Sequence, residues 1–302
     1  MQNPSTPPVC NYEGSDYQTS FWEKGGRAYE DGCEAVALKR LLPHSGRHLL
    51  ELGAGAGRNT PRYSGYGRVT LLDYSKTQLE QAHQRLGNNP NYRYVAADIY
   101  RLPFVDGLFD GATMIRTLHH MAEPQLALAQ VRRVLEPRAA FILEYANKRN
   151  LKSMLRHLLG RQDWSPYTRE AVEYIPLNFD FHPAAVREWL GSAGFSIERM
   201  LTVSHLRVGF LKKILPARLL VAIDSVLQLS GGLFRLTPSV FLRASAGSAG
   251  NKAAEGTFFA CPACGAPLED TPPLIRCSGC GQEYPVTDGI YDFRLNAPAG
   301  AD

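Results

Sequence analysis

No cysteine occurs between Cys33 and Cys261, so most of this 302-residue chain offers no thiol for nucleophilic chemistry. No stretch is apolar for long enough to span a bilayer. The greasiest, Ala217 to Leu229, is broken by Arg218, Asp224 and Gln228 and falls short of the roughly 18–20 residues required. Met1 to Val9 carry three prolines and no apolar run, so no secretory signal or transit peptide is expected there. A cytoplasmic location follows as the expectation, with peripheral membrane contact left open. No internal repeat of roughly 20–50 residues recurs, which excludes a solenoid. Charged residues make up 21% and hydrophobic ones 44%, so disorder, collagen and coiled coil are excluded as descriptions of the whole chain.

Charge is unevenly placed. Phe258 to Asp302 hold two cations, Arg276 and Arg294, and six anions, so that segment is −4 and the rest +8. Between them, residues 244–256 are small, Gly- and Ser-rich and without apolar periodicity, the composition of a linker. The expected organisation is a domain over 1–243, a linker over 244–256 and a small domain over 257–302.

Before the linker, short apolar runs alternate with helical patterns. Strands are expected at Arg47–Leu52, Arg68–Leu72, Tyr92–Ala96, Phe109–Ile115 and Ala139–Tyr145, with helices at Ser75–Leu86 and Gln125–Leu135. Two more strands, Phe195–Val203 and Ser239–Arg243, flank a largely helical stretch from Val208 to Phe234. This rhythm predicts a parallel α/β sheet ending in an antiparallel pair, with a helical insertion.

At the end of the first strand stands Glu51-Leu52-Gly53-Ala54-Gly55-Ala56-Gly57, a glycine turn that a ligand can approach without meeting a Cβ. A dinucleotide fold would require a further spacing, G-x-G-x-x-G, but position 58 is Arg. Asp73 closes the second strand, where a carboxylate can accept hydrogen bonds from a ribose, and Asp98 follows the third. Ligands of open α/β sheets bind along that carboxyl edge.

From about Leu38 to Arg243 the sequence resembles the class I S-adenosylmethionine-dependent methyltransferases. The resemblance rests on Glu51-x-Gly53-x-Gly55-x-Gly57, Asp73, Ala97-Asp98-x-x-x-Leu102-Pro103-Phe104 and Phe109-Asp110. Leu118-His119-His120 and Arg133-Val134-Leu135-Glu136-Pro137 resemble the branch that includes quinone-biosynthesis C-methyltransferases. That branch usually has Lys-Pro-Gly-Gly where this chain has Glu136-Pro137-Arg138-Ala139. The resemblance implies a Rossmann-like seven-stranded sheet with an N-terminal helical cap over residues 1–45. It also implies S-adenosylmethionine as cofactor, held by Glu51, Gly53, Gly55, Gly57, Asp73, Asp98 and Ile99.

Methyl transfer from a sulfonium is an in-line displacement, so a general base is needed only where the acceptor must lose a proton. His119, His120 and Arg116 are the candidates, the two histidines also readable as a structural turn and Arg116 as a residue that contacts substrate. Tyr17, Phe21, Trp22 and Tyr29, and the run Asn178-Phe179-Asp180-Phe181-His182, are candidates for the acceptor pocket, with core packing as the alternative for Phe179 and Phe181. Amino-directed enzymes usually carry an acid or Asn before Pro-Pro-aromatic after strand four, where this chain reads Met114-Ile115-Arg116-Thr117. Cytosine-C5 enzymes need the thiol that is missing.

Cys261-x-x-Cys264-Gly and Cys277-x-x-Cys280-Gly form two knuckles suited to one closed, structural Zn²⁺ site, with a redox disulfide as the alternative. With Tyr284-Pro285-Val286-Thr287-Asp288-Gly289-Ile290, they resemble the small zinc-ribbon family that activates tRNA and protein methyltransferases as a separate subunit. Two basic, greasy segments remain. Lys148, Arg149, Lys152, Arg156 and Arg161 accompany a leucine-lined helix, and Lys212, Lys213 and Arg218 accompany Phe210 to Leu229. Such helices lie on anionic lipid, meet nucleic-acid phosphate, or pack by one face. The expected acceptor is a small or lipid-like molecule. The alternatives are RNA or protein, with the ribbon as a binding or activating module, and cofactor binding without catalysis.

Overall fold

The computed structural model describes residues 7–16 and 18–295, so Tyr17 lies outside the described residues. The chain begins with a helical turn over Gln18–Glu23 and α1 (Ala28–Leu41), then enters the alternating core. This comprises β1 (Gly46–Leu52), β2 (Tyr66–Asp73), α2 (Lys76–Leu86), β3 (Tyr92–Ala96), β4 (Phe109–Met114), α3 (Pro124–Val134) and β5 (Leu135–Ala146). Next come α4 (Leu151–Leu158), a hairpin of β6 (Val172–Ile175) and β7 (Asn178–Asp180), α5 (Pro183–Ser192) and β8 (Phe195–Val203). The helical insertion is α6 (Gly209–Ile214) and α7 (Ala217–Leu227), ahead of β9 (Ser239–Ala246). The C-terminal segment adds β10 (Phe259–Ala260), β11 (Pro267–Leu268), β12 (Leu274–Arg276), β13 (Glu283–Thr287) and β14 (Ile290–Asp292).

The main sheet has ten strands in the order β12-β13-β14-β3-β2-β1-β4-β5-β9-β8, not the expected seven. Seven are those anticipated. The other three come from the cysteine-bearing segment, because β14 pairs in parallel with β3, Ile290 opposite Tyr94 and Asp292 opposite Ala96. An uncovered β3 would leave a row of unpaired N–H and C=O groups at the sheet edge, and β14 satisfies them. The apolar core continues across this joint: Phe259, Cys261, Ile275, Cys277, Tyr284 and Phe293 share one buried cluster with Leu50, Phe104 and Phe109 of the larger body. Charge crosses it too, with Arg93 paired to Asp270 at 3.1 Å and its guanidinium 4.2 Å from the Phe258 ring centre.

The central strands are buried on both faces, as helix-covered parallel strands must be: Leu49 to Leu52 and Val69 to Leu72 form unbroken buried runs. Ser75 caps α2 as its sequence suggests, its Oγ accepting from Gln78 N–H. Arg138 stands at φ +64°, so a non-glycine residue carries the left-handed turn of the Glu136-Pro137-Arg138-Ala139 corner. Strain of that kind costs about 1–2 kcal/mol. Arg138→Gly is therefore expected to raise the denaturant midpoint modestly, and an unchanged midpoint would mean that the corner is relaxed.

Two residues of the basic, greasy segments turn inward. Lys148 is buried, with Nζ donating to the Thr168 and Glu170 carbonyls at 3.1 and 2.7 Å, because β5 carries it beneath the following loop. Leu220 is fully buried, since α7 packs on α1 by the face that holds Leu220 and Asp224. There the Tyr29 hydroxyl donates to Asp224, which also accepts from His205 N–H at 2.7 Å.

Candidate active site

The strand order reverses between β1 and β4, and the loops after β1, β2, β3 and β4 open there into one cleft of about 1050 Å³, its mouth included. Glu51, Gly53, Gly55, Asp73, Ile99, Arg116 and His120 all line it. Gly57, Asp98 and His119 do not. All three loop glycines have positive φ, yet each does something different. A Cβ on Gly53 would lie 2.2 Å from Thr117 Oγ1, and one on Gly57 would strike Leu86 of α2 at 2.7 Å, so both are packing requirements. Gly55 alone of the three faces open space, with nothing nearer than Gln78 Oε1 at 3.8 Å. Its bare backbone is what a ligand could approach.

Asp73 holds the loop: one carboxylate oxygen accepts from Gly55 N–H at 2.8 Å and the other from Ser75 N–H at 2.9 Å. Burial raises its pKa against these two donors. Asp98 caps the turn over Ile99–Arg101 by accepting from Tyr100 N–H, which presents Ile99 to the cleft. Glu51 lies deepest. It accepts from the Thr60 hydroxyl at 2.6 Å, and desolvation pushes its pKa up to about 7. A carboxylate so placed would welcome a cationic partner.

The opposite wall comes from the N-terminal segment and the end of β4. Val9, Cys10, Tyr12, Gln18 and Trp22 line the cleft, so the described part of the segment ahead of α1 folds over it. Trp22 lies beneath Arg58, 3.5 Å from guanidinium to ring centre, with Arg116 at 5.0 Å. Both arginines bind buried Glu34 of α1, whose carboxyl pKa they hold low although burial works the other way. Arg58 was visible in the sequence only as a departure from dinucleotide spacing. Its role in tying α1, Trp22 and the glycine loop together needs α1 to be placed first.

His120 Nδ1 lies 2.9 Å from the Leu177 carbonyl, which fixes a proton there and leaves Nε2 to accept from the Tyr12 hydroxyl at 3.2 Å. Burial lowers its pKa, so the ring is neutral at pH 7 and able to take a proton. His119 is held well below its ordinary value by burial. Of the acceptor-side aromatics, Trp22 reaches the cleft, Phe181 is core and stacks on half-buried Phe179, and Tyr29 anchors α7.

At the far edge of the sheet the four Sγ atoms of Cys261, Cys264, Cys277 and Cys280 lie within 4.8 Å of one another. Cys261 to Cys280 is 3.7 Å and Cys264 to Cys277 is 3.5 Å. A tetrahedral ion about 2.3 Å from each sulfur requires edges of about 3.8 Å, so this donor set fits one. Each knuckle closes on a glycine with positive φ, Gly265 and Gly281, whose N–H donates to the first cysteine's carbonyl. From this lobe Arg294 donates to the Tyr74 carbonyl beside the cleft and pairs with Glu13, which in turn accepts from the first N–H groups of α2.

A Rossmann-like sheet with a glycine loop, an acid closing β2 and a covered cleft at the switch point defines a cofactor-binding α/β enzyme class. Residues 50–143 match the family described as a methyltransferase domain. The chain is 31% identical over 177 residues to the demethylmenaquinone methyltransferase of Clavibacter sepedonicus, covering 53% of this chain and 70% of that protein. It is 37% identical over 142 residues to the O-methyltransferase cnsE of Penicillium expansum, covering 43% of this chain but only 51% of that relative's length. In fold, it is similar to a chain of the Haloferax volcanii complex that contains the Trm112 methyltransferase activator. That match has a TM-score of 0.54 at 17% identity and covers 76% of this chain and 96% of the other. The chain belongs to the S-adenosylmethionine-dependent methyltransferases.

Proposed function

We propose that this enzyme transfers a methyl group from S-adenosylmethionine to a small or lipid-like acceptor bound between the glycine-loop wall and the Trp22, Arg116 and His120 wall of the cleft. The observation that carries this reading is the convergence of Glu51, Gly55 and Asp73 on one side of a single covered cleft and Arg116 and His120 on the other. When bound, the cofactor supplies an activated methyl group. Asp73 receives its ribose hydroxyls, Gly55 gives its backbone room, Ile99 offers an apolar surface to the base, and Glu51 pairs with its ammonium group. Gly53 and Gly57 shape the loop, and Asp98 fixes Ile99. The N-terminal segment excludes water, which is the main help a displacement on an activated carbon needs. For an acceptor that must lose a proton, the Tyr12 hydroxyl takes it while passing its own to His120 Nε2. That the relatives include one named for O-methylation and one for demethylmenaquinone supports a small-molecule acceptor.

The cysteine lobe, on this reading, holds one structural Zn²⁺ and buttresses the cofactor site through Arg294. Incubation with labelled cofactor and fractionated extract tests the acceptor: label should enter lipid or small molecules, and label confined to RNA or protein would replace the reading.

Glu51 gives a pH signature. Its carboxylate form holds the ammonium, so cofactor affinity should be highest above its raised pKa of about 7 and fall as pH drops through it. If only the ionised form binds, its share falls from about a half at pH 7 to about a tenth at pH 6, where the cofactor's amine stays largely protonated, so calorimetry over that interval should show a loss of roughly fivefold. Glu51→Gln should bind more weakly at pH 8 and lose most of that slope. A slope that persists in the variant would assign it to another group.

A further inference from the structure

Three helices at the carboxyl edge of the sheet turn apolar faces outward. On α4, Leu151, Leu155 and Leu158 recur at helical spacing and are exposed, Leu158 by 80%. On α7 the face adjoining Leu220 and Asp224 carries Leu219, Ile223 and Val226, again at helical spacing and exposed, Val226 by 69%. On α6, Phe210 and Ile214 point out while Lys212 turns in to pair with Glu30. Contiguous apolar faces left in solvent mark a surface that meets a second apolar phase. The elements are joined: Leu151 N–H donates to the Leu236 carbonyl at 2.8 Å, so α4 abuts the loop that carries Leu233, 82% exposed, and Phe234. Because β8 ends and β9 begins at the edge where β5 ends, all of this lies at the edge that bears the cofactor cleft.

The exposed charges on these elements themselves are of one sign, although exposed Asp163 follows α4 closely and exposed Glu173 stands on neighbouring β6. The sole acid between residues 204 and 238 is Asp224, which is buried, and residues 147–162 contain none. Lys152, Arg156, Arg161, Lys213 and Arg218 are exposed among the leucines. No described helix is long and apolar enough to cross a membrane. An apolar face ringed by cations, too short to span, matches the interface of an anionic bilayer.

We propose that this face, formed by α4, α6, α7 and the loop before β9, docks on an anionic lipid bilayer and opens the acceptor side of the cleft toward it. The proposal extends the lipid-like acceptor reading but does not depend on it. Its test is sedimentation of the full chain with vesicles of phosphatidylcholine alone or mixed about two to one with phosphatidylglycerol. Binding should favour the mixed vesicles and weaken with salt, and Lys213→Gln with Arg218→Gln should lose roughly fivefold per cation. The triple variant Phe210→Ser, Leu233→Ser, Phe234→Ser should lose at least tenfold while its cofactor affinity stays unchanged, which shows that it is folded. No binding to mixed vesicles, or undiminished binding by the triple variant, would overturn the proposal. So would a dimer in solution that the triple variant dissolves, or RNA binding in place of vesicle binding. Label transferred to a water-soluble acceptor with vesicle binding intact would retire the lipid-like acceptor and keep the docking face. Label in lipid without vesicle binding would do the reverse.

Discussion

Replacing Asp73 with alanine is expected to weaken binding of S-adenosylmethionine, or of its demethylated product, by about 1.5–3 kcal/mol, roughly tenfold to 150-fold. The lower bound is one lost hydrogen bond between the carboxylate and a ribose hydroxyl. The upper one includes the loop, because the same carboxylate accepts from Gly55 and Ser75 N–H groups and thereby sets the backbone of the glycine turn. Asp73→Asn separates the two. An amide oxygen can still accept from one of these N–H groups but loses the charge, so its affinity should fall between those of wild type and alanine. Calorimetry with the demethylated product gives both values without turnover. Unchanged affinity in Asp73→Ala would place the ribose elsewhere in the cleft.

What was legible in the sequence follows from which interactions are local. β3 and β8 match their expected bounds, and β1, β2 and β4 differ by no more than two residues at either end; in β1, β2 and β4 double-sided burial writes an apolar run into the chain, whereas β8 is an edge strand with exposed Ser196, Glu198 and Arg199 that ends in buried Leu201 to Val203. The β6–β7 hairpin was not legible: its residues are half-exposed and mixed, and it exists because it packs beside the turn at Leu118–His120. Within the site, the glycine loop and its acids could be found by spacing. Spacing could not separate Gly55, which faces the cleft, from Gly53 and Gly57, which are fixed by Thr117 and α2. Nor could it tell that Lys148 turns inward while Arg149, Lys152, Arg156 and Arg161 stay in solvent. The joining of the C-terminal lobe to β3 was the largest thing missed. Charge asymmetry and a glycine-rich stretch argue for separate surfaces. They say nothing about a strand edge, and three short strands carry too little periodicity to reveal which edge they will complete.

That shared edge makes metal loss consequential well beyond the lobe that would hold the ion. We expect one Zn²⁺ per chain on Cys261, Cys264, Cys277 and Cys280, detectable by elemental analysis of protein purified without added metal. A segment this small has no adequate core of its own, so stripping the ion should disorder the two knuckles. Phe259 and Phe293, each about 1% exposed and packed in the common cluster, would then lose their cover, and β3 would lose its partner. Two phenylalanines contribute roughly 3–6 kcal/mol by burial, which corresponds to a fall in Tm on the order of ten degrees. Cys264→Ser should show the same fall together with lost zinc, and also weaker cofactor binding, because Arg294 would no longer brace Tyr74 and Glu13 beside the cleft. An absence of zinc, or full occupancy in Cys264→Ser, would sink the metal assignment. Zinc loss with an unchanged Tm would mean instead that the sheet stands without its C-terminal strands.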